Sequence, residues 1–124
     1  STETIIWVAK NTKSKHKFNY ELMKEINDNK QMKDVWVMTA PGKAEKTYDK
    51  HPTQKPLSLL DRLILAATDE GDLVLDAFNG SGTTGVSCIR TNREYIGIEL
   101  EKEFIQLSEK RFSEQTKLND KLSA

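Results

Sequence analysis

The segment Leu73-Val-Leu-Asp-Ala-Phe-Asn-Gly-Ser-Gly-Thr-Thr-Gly85 decides how the rest of the chain is interpreted. Three apolar residues run into Asp76 and follow the turn signal Glu70-Gly-Asp72, a pattern that predicts a short strand buried on both faces. A glycine-rich turn comes directly after it. Because glycine has no Cβ, the backbone of such a turn can take positive φ and approach a ligand closely. The segment therefore predicts a strand, a nucleotide-type binding turn and a helix.

The glycines match the dinucleotide pattern Gly80-x-Gly82-x-x-Gly85, and an acid, Glu99, ends the next apolar strand. Asp76 changes the expected ligand, because a carboxylate at the mouth of the loop repels a pyrophosphate and attracts a cation. S-adenosylmethionine carries an ammonium and a sulfonium beside a ribose and an adenine. Asp76 can then face its amino acid end, while Glu99 accepts hydrogen bonds from the ribose hydroxyls.

Three other interpretations of this segment stay open. It could be an ordinary strand, turn and helix without a ligand, although the joint presence of strand, acid, glycines and distant acid favours a binding site. An NAD-dependent oxidoreductase would share the glycine pattern and Glu99. A non-catalytic DNA-binding or specificity subunit would share the basic first third of the chain.

Several segments resemble motifs of one enzyme family. Asp76-Ala-Phe-Asn-Gly-Ser-Gly-Thr-Thr84 is similar to the cofactor motif of the DNA amino-methyltransferases, which methylate N6 of adenine or N4 of cytosine. His51-Pro-Thr-Gln-Lys-Pro56 resembles the segment that precedes this motif in their β-class permutation, and Ile96-Gly-Ile-Glu-Leu100 resembles the ribose-binding strand that follows it. One departure is Ala77, where the family usually has proline, a change that loosens the turn but removes no ligand group.

With Phe18-Asn-Tyr20 and Gln31-Met-Lys-Asp-Val-Trp36, the resemblance covers roughly residues 2–112. It implies an α/β fold, part of a Rossmann-like S-adenosylmethionine-dependent methyltransferase in the β-class permutation. The sheet should be mostly parallel, with flanking helices, and incomplete in this chain. We expect a basic strand and loop region at 1–50, a cofactor-binding βαβα region at 51–112 and a polar C-terminal tail at 113–124.

The resemblance also implies which residues hold the cofactor. The segment from His51 lies over its amino acid end, where Lys55 and the Thr53 hydroxyl or backbone are available to the carboxylate, and Leu100 covers the adenine ring. His51 itself is favoured as a structural, hydrogen-bonded histidine over a general base. The full cofactor-binding prediction comprises His51, Thr53, Gln54, Lys55, Asp76, Phe78, Gly80, Ser81, Gly82, Thr83, Thr84, Glu99 and Leu100.

A lysine-rich interval near the start of the chain predicts contact with DNA. Lys13, Lys15 and Lys17 can track a phosphate backbone without reading its sequence, although a solvated loop explains them equally well. In the family that this chain resembles, Phe18 or Tyr20 would stack on a target base turned out of the duplex. The alternative for both rings is a place in the core. The same segment favours adenine N6 over cytosine N4.

The chain has no Pro-Pro-aromatic tetrapeptide, the family motif that steers the amine lone pair toward the methyl group. We therefore expect no catalytic residue in this chain, no turnover by the chain alone, and a missing N-terminal catalytic half as a second chain or segment. Homo-oligomerisation of the whole enzyme is left open. The expected reaction is direct displacement on a flipped base, aided by proximity.

Composition excludes several classes of protein. With 19 acidic and 19 basic residues the 124-residue chain has no net charge, yet residues 1–50 carry +3 and residues 51–100 carry −3. The single cysteine, Cys88, excludes an intrachain disulfide and is expected to pack as a small buried hydrophobe. No His/Cys cluster has metal-ligand spacing, so no metal is expected. No long apolar run is present, and the expected location is the prokaryotic cytoplasm, with DNA and no membrane.

Further patterns predict the remaining elements. Ile5–Val8 and Val35–Met38 favour short strands, with Trp7 and Trp36 as core anchors. Helices are expected at Tyr20–Ile26, after Pro56, and from the glycine loop to Asn92. The last helix should present Phe104, Ile105 and Leu107 and continue toward Phe112, with a frayed segment after it.

Overall fold

A computed structural model describes residues 2–46 and 53–124 of the chain. Four helices and two strands are present in these ranges. In chain order they are α1 (Tyr20–Glu25), α2 (Leu57–Ala67), β1 (Leu73–Asp76), α3 (Thr83–Arg90), β2 (Glu94–Gly97) and α4 (Lys102–Ser123). The helices predicted after Pro56 and after the glycine loop are confirmed, and Asn92 has the positive φ of 59° expected just past the end of α3.

The strands β1 and β2 pair in parallel, with Leu73 opposite Glu94 and Asp76 opposite Gly97. Parallel neighbours need a crossover connection, which α3 supplies. The pairing extends past the strand ends, because the Ile98 amide donates to the Asp76 carbonyl at 2.9 Å. The residues that follow each strand therefore meet at one edge, which we call the carboxyl edge. The predicted partial Rossmann-like arrangement of parallel strands and flanking helices is confirmed.

The helices cover one face of this sheet. Tyr95 on β2 meets Phe112 on α4 edge to face at 5.7 Å between ring centroids. The Ser87 hydroxyl of α3 donates to Asp61 of α2 at 2.7 Å. The buried apolar side chains of the described residues are Met23, Ile64, Ala66, Val86, Cys88 and Leu107. Cys88 thus packs as a small buried hydrophobe, as predicted.

The opposite face of the sheet is left uncovered by residues 2–46 and 53–124, which corrects the expectation of a strand buried on both faces. Side chains alternate along a strand, so Leu73 and Leu75 point away from the helices. They are 62% and 64% exposed, and Ile96 and Ile98 on the neighbouring strand are 50% and 53% exposed. Among the described residues no element packs over these four apolar side chains, which we call the bare face.

The two strands predicted in the first third of the chain are wrong. Neither Ile5–Val8 nor Val35–Met38 forms a strand or pairs with another strand in the described ranges. A strand exists only where a neighbour completes its hydrogen bonds, so β propensity alone did not suffice. Trp7 is 60% exposed and is not a core anchor, whereas Trp36 is half-buried against α2, with the Arg62 guanidinium 4.8 Å from its ring centroid.

The C-terminal segment is helical, which corrects the expectation of fraying. Helix α4 continues to Ser123. The Asn119 side-chain amide donates to the Ile89 carbonyl at 2.7 Å and so attaches the distal part of α4 to the end of α3. Within the described part of the chain, no helix is long and apolar enough to cross a membrane.

Candidate cofactor site

The glycine-rich loop after β1 turns sharply at the carboxyl edge. Gly80 and Gly82 have φ of 55° and 79°, values that other residues rarely adopt. The Gly82 amide donates to the Asn79 carbonyl at 2.9 Å and closes the turn. A Cβ on Gly82 would lie 2.7 Å from the Ser108 hydroxyl oxygen of α4, so the loop backbone packs directly on that helix.

Asp76 lies at the mouth of the loop and is half-buried. Its Oδ1 accepts a hydrogen bond from the Phe78 amide at 2.9 Å, and its Oδ2 accepts one from the Thr84 hydroxyl at 2.7 Å. A carboxylate offers about four acceptor positions, so two such bonds orient the group and still leave it able to accept from a ligand. The loop therefore holds a negative charge in a defined direction.

Glu99 follows β2 at the same edge and binds the loop directly. Its Oε2 accepts from the Gly80 amide at 2.8 Å. Its Oε1 accepts from the amides of Leu100 and Glu101 at 2.8 and 3.0 Å. The two acids that the sequence placed far apart are thus brought to one loop, as predicted from the parallel crossover.

The hydroxyls of the loop turn toward the protein. Those of Ser81 and Thr83 are buried against Arg111 of α4, and that of Thr84 binds Asp76. The first α3 residue to donate to a carbonyl four positions earlier is Val86, at 3.0 Å to Gly82. The amides earlier in the first turn lie outside this helical ladder. Apart from the carboxylate of Asp76, the loop therefore presents its backbone N–H groups, and its glycines allow a ligand to approach the backbone closely.

Two predicted residues flank the loop with exposed apolar surface. Phe78 is 92% exposed and Leu100 is 95% exposed. Each follows one of the acids closely in sequence: Phe78 lies two residues after Asp76, and Leu100 directly follows Glu99. Large apolar side chains at this exposure are suited to contact a planar ring.

The segment before α2 lies at the carboxyl edge as well. Asp61 is the fifth residue of α2 and accepts a hydrogen bond from Ser87, the fifth residue of α3. Both helices run away from this edge, so the N-terminal end of α2 lies beside that of α3. Thr53, Gln54 and Lys55 precede that end, and His51 lies outside the described residues. The Lys55 ammonium is engaged by both oxygens of Glu3 at 2.7 Å.

Gln54 is buried against a neighbouring loop. Its Nε2 donates to the Glu45 carbonyl at 2.8 Å, and its Oε1 has no hydrogen-bond partner among the described residues. Glu45 in turn accepts from the Leu57 amide at 2.9 Å and so caps α2 from a distance. Gln54 is therefore held in place by the fold and is not displayed on the surface.

The residues predicted to meet DNA do not lie beside the glycine loop. The Asn19 amide donates to the Ala66 carbonyl at 2.8 Å, and its side chain donates to the carbonyls of Leu65 and Thr68. This holds Phe18 and Tyr20 at the C-terminal end of α2, which is the amino edge of the sheet. The strands are four residues long, so roughly 13 Å separates the two edges.

The structure thus places Phe18 and Tyr20 at the amino edge, and the stacking of either ring on a target base stays a prediction. Lys17 forms an ion pair with Asp69 at the same edge. Lys13 and Lys15 are exposed in the segment that precedes Lys17. The Phe18 ring packs against Trp7 at 5.8 Å between centroids, although it is still partly exposed.

The sequence did not reveal the groups that support the loop from behind. The Tyr95 hydroxyl donates to Asn79 Oδ1 at 2.6 Å, and Asn79 Nδ2 lies 2.8 Å from both the Gly80 carbonyl and the Ser108 hydroxyl. Burial, with the negative charge of Asp76 adding to it, raises the pKa of Tyr95, which keeps its hydroxyl protonated as a donor. The sequence signal that could have revealed this support is the presence of polar Ser108 and Arg111 on the otherwise apolar inner face of α4.

Cys88 lies in the second half of α3 and is inaccessible to solvent. Burial raises the pKa of its thiol to about 11, so it is neutral at ordinary pH and unsuited to nucleophilic chemistry. No group of three or more His, Cys, Asp and Glu residues in the described ranges could hold a metal ion.

The fold and this loop define a class of protein: an α/β unit with a glycine-rich loop and two acids at the carboxyl edge of parallel strands, the arrangement typical of nucleoside-type cofactor sites. The sequence profile of the DNA methylase family matches residues 1–110. The chain belongs to that family.

Relatives and solved structures agree with this assignment. The chain is 55% identical over 116 residues to the Type II methyltransferase M2.MboI of Moraxella bovis, covering 94% of this chain and 42% of that protein. It is 55% identical over 120 residues to the Type II methyltransferase M2.DpnII of Streptococcus pneumoniae, covering 96% and 45%. The crystal structure of the M1.HpyAVI-SAM complex is similar with a TM-score of 0.62 and 41% identity, over 80% of this chain and 45% of that one. The chain therefore spans less than half the length of these relatives.

Proposed function

We propose that this chain is the cofactor-binding part of a site-specific DNA methyltransferase that uses S-adenosylmethionine. The observation that carries the proposal is the loop between Asp76 and Glu99, in which a directed carboxylate and a second acid meet a glycine turn at one edge. The names of the Type II methyltransferase relatives and of the M1.HpyAVI-SAM complex support it. DNA in a prokaryotic cytoplasm is the corresponding partner and location.

The residues present fit this cofactor. Asp76 would accept from its ammonium, Glu99 would lie against the ribose hydroxyls, and Phe78 and Leu100 would contact the adenine ring. When bound, the cofactor supplies an electrophilic methyl group on a sulfonium. The loop holds the ligand in one orientation, which is the main contribution that binding residues make to a direct displacement.

The methyl acceptor is proposed to be an exocyclic amine of a DNA base, with adenine N6 preferred over cytosine N4. The preference for adenine rests on the resemblance of Phe18-Asn-Tyr20 to a segment of the DNA amino-methyltransferases. The position of these residues at the amino edge does not enter it. The exposed lysines before that segment are proposed to contact phosphates, because lysine on a mobile stem binds a backbone without reading sequence.

The proposed enzyme needs a companion half that carries the Pro-Pro-aromatic motif, either as a separate chain or as a segment of the same one. The bare face supports this, since four large apolar side chains stand exposed on one side of a two-stranded sheet. Exposed apolar patches of this kind mark surfaces that another element covers. We propose that the companion half packs on Leu73, Leu75, Ile96 and Ile98.

The cofactor proposal is tested by calorimetric titration of the chain with S-adenosylmethionine and with NAD, and by thermal melting in the presence of each. We expect binding and thermal stabilisation by the first and neither by the second. Stabilisation by NAD alone would favour an oxidoreductase. Salt-dependent DNA binding without response to either cofactor would favour a non-catalytic DNA-binding subunit.

The activity proposal is tested with cognate DNA and cofactor labelled in the methyl group. Transfer is expected only when the companion half is added, and the labelled product nucleoside identifies adenine or cytosine. Robust transfer by the chain alone would refute the need for a companion.

The docking face is tested by replacing Leu75 and Ile96 with aspartate. The double variant should lose association with the companion half and keep its affinity for S-adenosylmethionine, because both side chains point away from the helices that support the loop. The control is Leu122→Asp, which alters an apolar residue at the far end of α4 that is still more exposed, at 86%. Unchanged association of the double variant would contradict the proposed face.

A further inference from the structure

The feature that the cofactor proposal leaves unexplained is a buried cation behind the glycine loop. Arg111 on α4 is only 9% exposed. Its Nη1 lies 2.7 Å from the Ser81 carbonyl, 2.9 Å from the Thr83 hydroxyl and 3.1 Å from the Ser81 hydroxyl. Burial of a guanidinium is costly unless oxygens replace the lost water, and here one nitrogen faces three oxygens of a single loop.

Arg111 contacts the loop beside Gly82, whose backbone has a positive φ. The Ser81 carbonyl that it binds belongs to the peptide that enters Gly82, whose φ is 79°. The two hydroxyls flank that glycine in sequence, so the guanidinium spans the turn from Ser81 to the start of α3. A rotation of this peptide would break the shortest of the three contacts.

Ser108 adds a second contact one helical turn earlier on the same face of α4. Its hydroxyl lies 2.8 Å from Asn79 Nδ2 and 3.2 Å from the Gly80 carbonyl. Positions three apart on a helix are neighbours, so Ser108 and Arg111 form one continuous polar strip against the loop. Both residues contact the loop from the helix side, and neither is among the groups proposed to touch the cofactor.

From these contacts we infer that Arg111 is a positioning residue: it holds the Ser81–Thr83 part of the loop in the conformation that receives S-adenosylmethionine. The inference rests on the proposed function for the identity of the ligand. The conformational part stands without a ligand, because the contacts are present in the protein alone. Charge-assisted hydrogen bonds are among the stronger ones in proteins, so their loss should be measurable in the loop.

The test replaces Arg111 with methionine, which keeps a long helix-compatible stem and removes the donors. The control is Leu107→Ala, a buried change on the same helix that makes no hydrogen bond to the loop. Amide exchange of residues 80–84 is measured first without cofactor, under conditions in which the two variants are equally stable. We expect exchange about tenfold faster in Arg111→Met than in the control, in line with the loss of a charge-assisted bond.

Affinity for S-adenosylmethionine is measured next on the same proteins. The dissociation constant should rise about tenfold in Arg111→Met and less than about twofold in Leu107→Ala. Equal exchange in both variants would overturn the inference, whatever the ligand. Faster exchange together with binding of NAD in place of S-adenosylmethionine would uphold the positioning role and refute the proposed function.

A second variant covers the case in which Arg111→Met does not fold. Ser81→Ala combined with Thr83→Val removes two of the three acceptors and leaves the arginine with the Ser81 carbonyl. It should produce the same localised rise in exchange at residues 80–84, smaller than that of the arginine variant. Exchange unchanged from the wild type would overturn the inference.

Discussion

The Gly80 amide donates a hydrogen bond of 2.8 Å to the carboxylate of Glu99. This bond joins the loop after one strand to the acid after the next, so the two halves of the cofactor site are a single unit. The other carboxylate oxygen accepts from the amides that begin the segment before α4. The same acid therefore shapes the loop and stands beside the ribose position proposed for the ligand.

Replacing Glu99 with glutamine should weaken cofactor binding. An amide has a single acceptor oxygen, so either Gly80 or the pair of amides after Glu99 loses its partner, and the remaining bonds lose their charge. We expect the dissociation constant for S-adenosylmethionine to rise about tenfold, as measured by titration calorimetry. The control, Glu94→Gln, changes an exposed acid at the other end of β2 and should bind like the wild type. Equal loss in both variants would contradict a local effect.

Asp76→Asn tests which end of the ligand meets the loop. Asparagine can accept from the Phe78 amide and donate to the Thr84 oxygen, so both local hydrogen bonds survive while the negative charge is lost. Affinity for S-adenosylmethionine should fall about tenfold because its ammonium loses a charged partner. Adenosine, which lacks the amino acid end, is the control ligand and should bind as to the wild type. A parallel loss for both ligands would place the ammonium elsewhere.

Gly85→Ala should destabilise the fold. Alanine is a better helix former than glycine, but a Cβ here would lie 2.5 Å from Phe112 and 2.7 Å from Tyr95. Overpacking of this kind typically costs about 1–3 kcal/mol, which exceeds the gain in helix propensity. Urea unfolding measures the net change in the free energy of unfolding, which we expect to be a decrease. Gly42→Ala, with nothing within 4 Å of its added Cβ, is the control, and adding Phe112→Leu to Gly85→Ala should recover part of the loss.

Stability should decline at alkaline pH. Burial raises the pKa of the Cys88 thiol from 9.0 to about 11, so between these values the unfolded chain has lost a proton that the folded chain keeps. The contribution of Cys88 to the free energy of unfolding is then fully present below pH 9 and is lost as pH rises toward 11. The slope from this group is at most about 1.4 kcal/mol per pH unit. Urea unfolding from pH 8 to 11 should show a shallower decline in Cys88→Ala. An identical slope would mean that the thiol does not drive it.

Asn19→Ala tests the separation of the two edges. Its side chain satisfies carbonyls at the end of α2, so its removal should lower the free energy of unfolding by about 1–3 kcal/mol. Affinity for S-adenosylmethionine should not change, since Asn19 lies at the amino edge. Asn27→Ala, which removes only local bonds at the surface, is the control for stability. A loss of cofactor affinity in Asn19→Ala would show that the edges are coupled.

Local pattern was enough to predict the elements that depend on neighbours in sequence. The apolar stripe after Pro56, the glycine turn and the strand that ends before Glu99 each carry their signal within a dozen residues, and the structure has an element at each. The short crossover also predicted that Gly80 and Glu99 would meet, because parallel strands joined in this way end at the same edge. Ile5–Val8 and Val35–Met38 were predicted wrongly, because a strand also needs a partner that propensity does not report.

By itself, the sequence determined the αβαβα order from α2 to α4, the acid-flanked glycine loop and, through the matching segments, the family. Only the tertiary structure decided what lies behind and beyond that loop: Arg111 and Ser108 hold it from α4, and Asn19 draws the aromatic segment to the opposite edge. The bare face likewise became visible only once the helices were seen to pack on one side. The contacts of Arg111, Ser108 and Asn19 join residues 28 to 49 positions apart, and side-chain identity alone does not specify which distant oxygen a buried donor will meet.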